Sequence, residues 1–244
     1  MKTVYALTTL GFVAACSDSD PKTYTPLDGA GTTTLASTAA GATLTLDRDA
    51  DLLTVNGDEG QISADGETVL FASGETMSLL GTDNDYSRGF ALSGAEASFG
   101  AFGESTARAD VPSGTASYSG ETIIVATSTD GVFDLTGTVS ANVDFSDGDA
   151  TMMFEDLNGS RATGLSAPDT IDDFGSIVIS DISVENAVLT GGSSMVMSGE
   201  TDTFDDLEGG VNALLFGPEG EELGGSIALS GNAATVRGSF IAAQ

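Results

Sequence analysis

Short runs of alternating apolar and polar residues, each cut off by a glycine-bearing turn, fill the chain from residue 23 onward. Ala42-Thr43-Leu44-Thr45-Leu46 alternates in this way, and so does Thr115-Ala116-Ser117-Tyr118. Ile177-Val178-Ile179 and the stretch from Leu189 to Val196 lie in β-branched surroundings. The runs are separated by Asn56-Gly57-Asp58, Ala64-Asp65-Gly66, Asp130-Gly131, Ser146-Asp147-Gly148, Asn158-Gly159 and Ser230-Gly231-Asn232. Asn-Gly and Asp-Gly pairs supply the positive φ angles that tight hairpins require. No window places apolar residues at helical spacing, so no helix is expected within this region. Many short strands separated by turns predict an antiparallel all-β barrel or sandwich.

A boundary is expected near Asp110-Val111-Pro112-Ser113-Gly114, because proline cannot donate to a ladder in a central strand. Residues 23–110 read as a smaller, handle-like β-rich unit of several hairpins. Residues 111–244 hold about eight strand candidates, the number that closes a small, filled barrel.

Composition excludes several functions. There are 37 acidic and 7 basic residues, a net charge of −30. Such a charge repels nucleic acid and anionic lipid headgroups and suits a salty medium or a basic partner. The acids are spread along the whole chain, which favours adaptation to salt, where counterions screen the repulsion. The chain has no histidine, so Ser-His-Asp and Cys-His catalysis are excluded and a conventional zinc site is not expected. Nothing singles out one carboxylate pair from so many acids, and the glycine-rich stretches do not precede helices. The expectation is a monomeric non-enzyme without a cofactor.

The single cysteine, Cys16, cannot form an internal disulfide. It follows a positive Lys2, an apolar stretch Val4–Ala14 and the small pair Ala14-Ala15, the three parts of an export signal. That stretch falls short of the roughly 20 apolar residues a spanning helix needs. Val13-Ala14-Ala15-Cys16 resembles the bacterial lipoprotein box, which implies a signal over residues 1–15 and acylation of Cys16. Residues 16–22 then read as a polar tether. Ser17, rather than aspartate, follows the cysteine, and by that resemblance the anchor belongs in the outer membrane, on its cell-surface or periplasmic face.

One segment mimics a calcium loop. Asp47, Asp49 and Asp51 stand at alternate positions and Asp58 at the twelfth. Leu52 occupies the place that needs glycine, and no helices flank the segment, so a solvated hairpin accounts for it better. Asp83-Asn84-Asp85 is a weaker case of the same kind.

Five further segments carry a family likeness. Val111-Pro112-Ser113-Gly114-Thr115-Ala116-Ser117-Tyr118-Ser119-Gly120-Glu121 opens the second half. Leu135-Thr136-Gly137-Thr138 then leads into Val143-Asp144-Phe145-Ser146. Leu215-Phe216-Gly217-Pro218-Glu219-Gly220-Glu221-Glu222-Leu223-Gly224-Gly225-Ser226 follows, and Val236-Arg237-Gly238-Ser239-Phe240 closes the set. In this order they resemble the eight-stranded barrel of the transferrin-binding protein B-like surface lipoproteins, over residues 105–244. Gly220 stands where that family usually has alanine, and Ile241 where a glycine commonly follows the phenylalanine.

By itself the hairpin reads as structural. Pro218 ends a strand, Gly224-Gly225 suit a bulge or bend, and Phe216, Leu223 and Phe240 suit the barrel interior or one of its ends. Glu221 and Glu222 are expected to solvate the turn or cap local backbone donors.

The resemblance implies capture of an iron- or haem-carrying protein, or another surface ligand, for iron acquisition. The alternative is a structural surface lipoprotein with no transported ligand. For haem, axial ligands could come only from Tyr24, Tyr86, Tyr118, Met152, Met153, Met195 or Met197, and core packing is the ordinary use of such residues.

Overall fold

The computed structural model describes residues 22–39, 42–93, 97–164, 167–198, 204 and 206–244. Among these residues regular structure is entirely β apart from short 3₁₀ turns, as the alternating pattern predicts. Cys16 and its leader lie outside the described residues.

The first half forms β1 (Thr32–Ser37), β2 (Leu44–Asp47), β3 (Leu52–Val55), β4 (Asp58–Ile62), β5 (Thr68–Phe71), β6 (Thr76–Leu80), β7 (Ser87–Ser93) and β8 (Ser98–Gly103). Each pairs antiparallel with the next, and β8 returns to β1 through Ala36↔Gly103 and Ser37↔Phe102. The unit that reads in sequence as a set of hairpins is therefore a closed barrel. Its interior holds Leu44, Leu53, Val69, Met77, Phe90 and Phe102, all almost fully buried.

The second half forms β9 (Thr115–Ser128), β10 (Gly131–Asp144), β11 (Asp149–Ala162), β12 (Asp169–Ile171), β13 (Gly175–Glu185), β14 (Val188–Gly191), β15 (Ser193–Ser198), β16 (Glu208–Phe216), β17 (Glu222–Ser230) and β18 (Ala234–Ala243). The ring runs β9-β10-β11-β13-β14-β16-β17-β18 and back to β9, with β12 and β15 paired alongside β11 and β13. Its interior is solid with side chains. Phe154 packs edge-on to Phe240 at 5.6 Å, and Phe133, Phe174 and Phe204 form an edge-to-face trio with centroids 5.2–5.7 Å apart.

The turn dipeptides behave as expected at Asn56-Gly57, where both residues have positive φ (53° and 91°) between β3 and β4. Asn158-Gly159 does not: it lies inside β11. A Cβ at Gly159 would come within 2.0 Å of the Asp134 carbonyl oxygen, so the glycine permits close approach of β10. The register slips nearby, between Thr136 and Thr138.

The barrels pack side by side. Strands β7 and β8 of the first lie on β16, β17 and β18 of the second. The contact is a small apolar cluster of Leu80, Ala101, Phe216 and Ile241, with Tyr86, Ile123 and Leu214 around it. The connecting segment is pinned to the second barrel as it passes. Thr106 N–H donates to the Leu215 carbonyl at 2.9 Å, Gly217 N–H to the Glu104 carbonyl at 2.8 Å, and the Thr106 hydroxyl to the Gly217 carbonyl at 2.8 Å.

Candidate functional site

The family-like hairpin, residues 215–226, lies at this junction. Leu215 and Leu223 are opposite each other in the β16–β17 register and both point into the second barrel. Phe216, one residue on, points outward and is fully buried against the first barrel. The interior role expected of Phe216 is thus corrected: strand alternation puts it on the outer face, where the neighbouring barrel covers it. Leu223 and Phe240 do fill the interior.

Gly224 and Gly225 are also corrected. Strand β17 pairs in unbroken register with both neighbours, so neither glycine marks a bulge. A Cβ on Gly224 would sit 2.5 Å from Ile241 Cδ1 and 2.8 Å from Ala101 Cβ. One on Gly225 would sit 2.3 Å from the Asn212 carbonyl oxygen. Gly224 is what lets the first barrel seat against β17.

Glu222 has only 4% of its surface exposed. Its carboxylate accepts the Asp85 N–H at 2.7 Å, the Tyr86 N–H at 3.1 Å and the Ser87 hydroxyl at 2.6 Å. All three donors belong to the start of β7 and the turn before it, so Glu222 caps backbone, but the backbone of the other barrel. Arg88 lies on the same turn and donates to the carbonyls of Thr82, Asn84 and Ser87. Burial pulls its guanidinium pKa down, against the opposing pull of the Glu222, Asp28, Asp83 and Asp85 charges. A buried carboxylate met by several donors has its charge compensated, and the geometry then fixes orientation.

Glu221 contrasts with its neighbour. Burial raises its pKa above the ordinary carboxylate value, and the charges of Glu219, Glu222 and Asp85 add to the effect. Its Oε2 is buried without a hydrogen-bond partner.

Of the candidate haem ligands, Tyr24, Tyr118 and Met152 are bound up in structure. The Tyr118 hydroxyl donates to the Gly220 carbonyl at 2.8 Å and accepts from Gln244 Nε2 at 3.3 Å, and burial pushes its pKa to about 12. The Tyr24 hydroxyl donates to Asp110 Oδ2 at 2.8 Å and accepts the Ala107 N–H at 2.7 Å. Burial, with Asp110 beside it, takes its pKa to about 12 as well. Tyr86 packs edge-on to Tyr24, with centroids 6.4 Å apart. Met152 is fully buried in the core, Met153 is half-buried and Met195 is exposed; the Met197 side chain lies outside the described residues.

The calcium-like aspartates surround the β2–β3 hairpin. Asp47 Oδ1 accepts the backbone N–H groups of Asp49 and Ala50 at 3.1 and 3.3 Å, and Asp58 opens β4 beyond the next turn. Among the described residues no three His, Cys, Asp or Glu side chains are grouped to hold a metal ion. A groove of about 310 Å³ beside the seam is lined by Glu67, Thr68, Ser78, Leu79, Thr82 and Glu121. It offers carboxylates and hydroxyls.

Sequence reasoning missed Glu104, which is nearly buried at the entry to the linker. It accepts the Thr33 hydroxyl at 3.1 Å and faces Lys22 at 3.5 Å and Arg48 at 3.7 Å. Three of the chain's few cations, Lys22, Arg48 and Arg88, are therefore used internally. No local pattern marks these partners.

No family model and no curated protein matches the chain. Solved structures do match. A mutant of Transferrin Binding Protein B from Haemophilus parasuis aligns over 86% of this chain and 45% of its own, with a TM-score of 0.61 and 14% identity. Intact Ap-TbpB, with N and C lobes, aligns over 80% and 41%, with a TM-score of 0.56 and 15% identity. The Transferrin Binding Protein B of serogroup B Neisseria meningitidis aligns over 87% and 43%, with a TM-score of 0.52 and 13% identity. The chain spans just under half the length of these structures. The likeness extends beyond the segment that carries the sequence resemblance, and both halves of this chain have the all-β architecture of transferrin-binding protein B-like lipoproteins.

Proposed function

We propose that this chain is a binding protein of the outer membrane, acylated at Cys16, whose paired barrels capture an iron- or haem-carrying protein. The observation that carries this reading is the match of 86% of the chain to 45% of a protein named for binding transferrin. Two filled barrels locked together present a rigid surface, which suits recognition.

Calorimetry with haem, iron-loaded transferrin and iron-loaded lactoferrin is the test. Saturable binding of one of them supports capture. Binding of none, with unchanged growth on those iron sources after gene deletion, overturns capture and favours a structural surface lipoprotein. The anchor is tested separately: Cys16→Ser abolishes acyl labelling, and label persisting in that variant contradicts it.

A further inference from the structure

The wall of the second barrel that faces away from the first carries an apolar row. In the ring, β11 and β13 lie opposite β17 and β18, the strands that hold the first barrel. Register places Met153 beside Val178, and Val178 beside Met195, across three neighbouring strands. Met195 is 59% exposed, and Met153 and Val178 are half-buried. Strands β10, β11, β13, β14 and β15 carry seven acids and one cation, Arg161, which is paired with Asp169 at 3.1 Å. Glu155, Asp156 and Asp181 stand closest to the row along β11 and β13.

We propose that this wall is a docking face for a protein that presents an apolar centre ringed by lysine or arginine. The inference rests on the binding reading above and names the surface. Methionine is an adaptable contact residue, and its enrichment in interfaces follows from that. The acidic rim fixes the partner's chemistry: like charge repels a second copy of this chain or an anionic bilayer, while a basic rim is steered in and oriented.

The test uses the chain labelled at its methionine methyl groups. The probe is a synthetic β-hairpin with valines on one face and lysines around it, with a lysine-to-glutamate version as control. The expected result is that the Met153 and Met195 signals shift with the lysine hairpin, while those of the buried Met77 and Met152 do not. Met195→Ser weakens binding about fivefold. Glu155→Gln with Asp181→Asn weakens it further and flattens its salt dependence. Shifts scattered over the chain, equal binding by Met195→Ser, or broadening of Met153 and Met195 by self-association alone would each overturn the proposal. Unchanged capture of an iron carrier by Met195→Ser would overturn this docking face and leave the capture function standing. Failure of the parent chain to bind any iron carrier would count against that function whatever the hairpin does.

Discussion

The two opposite walls of the second barrel differ in kind. The wall of β16, β17 and β18 carries the apolar contact of Phe216 and Ile241, the close approach at Gly224 and the buried carboxylate of Glu222. The wall of β11, β13 and β15 carries Met153, Val178 and Met195 amid Ser, Thr and acids, and Met195 is exposed. The first wall contains two of the segments that resemble a known family, residues 215–226 and 236–240; the second contains none. A recognisable motif here therefore marks an internal interface, where many atoms must fit at once. A recognition surface is free to vary and leaves a weaker trace in one sequence.

That contrast can be broken by mutation. The largest effect is expected for Phe216→Ala, which opens a cavity in the seam and lowers stability by about 4 kcal/mol. Met195→Ala on the other wall changes stability by no more than about 0.5 kcal/mol. Urea unfolding of the two variants measures both, and equal effects would erase the distinction between the walls. Next is Glu222→Ala, which strands the donors of Asp85, Tyr86 and Ser87 and costs about 2–3 kcal/mol. A smaller loss, about 1 kcal/mol, is expected for Tyr118→Phe, since Gln244 still bonds the Gly220 carbonyl at 3.0 Å.

The smallest effect concerns Glu221. Its raised pKa means the folded state favours the protonated form. The stabilisation from this group is complete below its unfolded pKa and is lost as pH rises through the folded value. At neutral pH the charge is unfavourable, so Glu221→Gln raises Tm by about 2 °C or less, and the gain shrinks toward pH 4. A gain that instead grew at low pH would contradict the sign.

Much of the fold was legible because it is locally encoded. Alternation located β2 and β9, β-branched surroundings located β13, and positive-φ dipeptides located the β3–β4 turn. The same dipeptide misled at Asn158-Gly159, because an extended glycine at a close approach and a left-handed glycine in a turn look alike in sequence. Closure of the first barrel was not legible, since β1 meets β8 through Ala36 and Gly103, far apart in the chain. The role of Glu222 was hidden for the same reason: its partners stand 135 to 137 residues away. Phe216 could have been placed by parity, because Leu215 and Leu223 face each other inside and the next residue must face out.

The central claim is that the hairpin from Leu215 to Ser226 locks the two barrels together. Native-state hydrogen exchange of the Asp85 and Tyr86 amides in Glu222→Ala tests it most directly. The account predicts that these two amides lose protection while those of Ile227 and Leu229, on the same strand, keep theirs. Unchanged protection at Asp85 and Tyr86, or a uniform loss along β17, would contradict it.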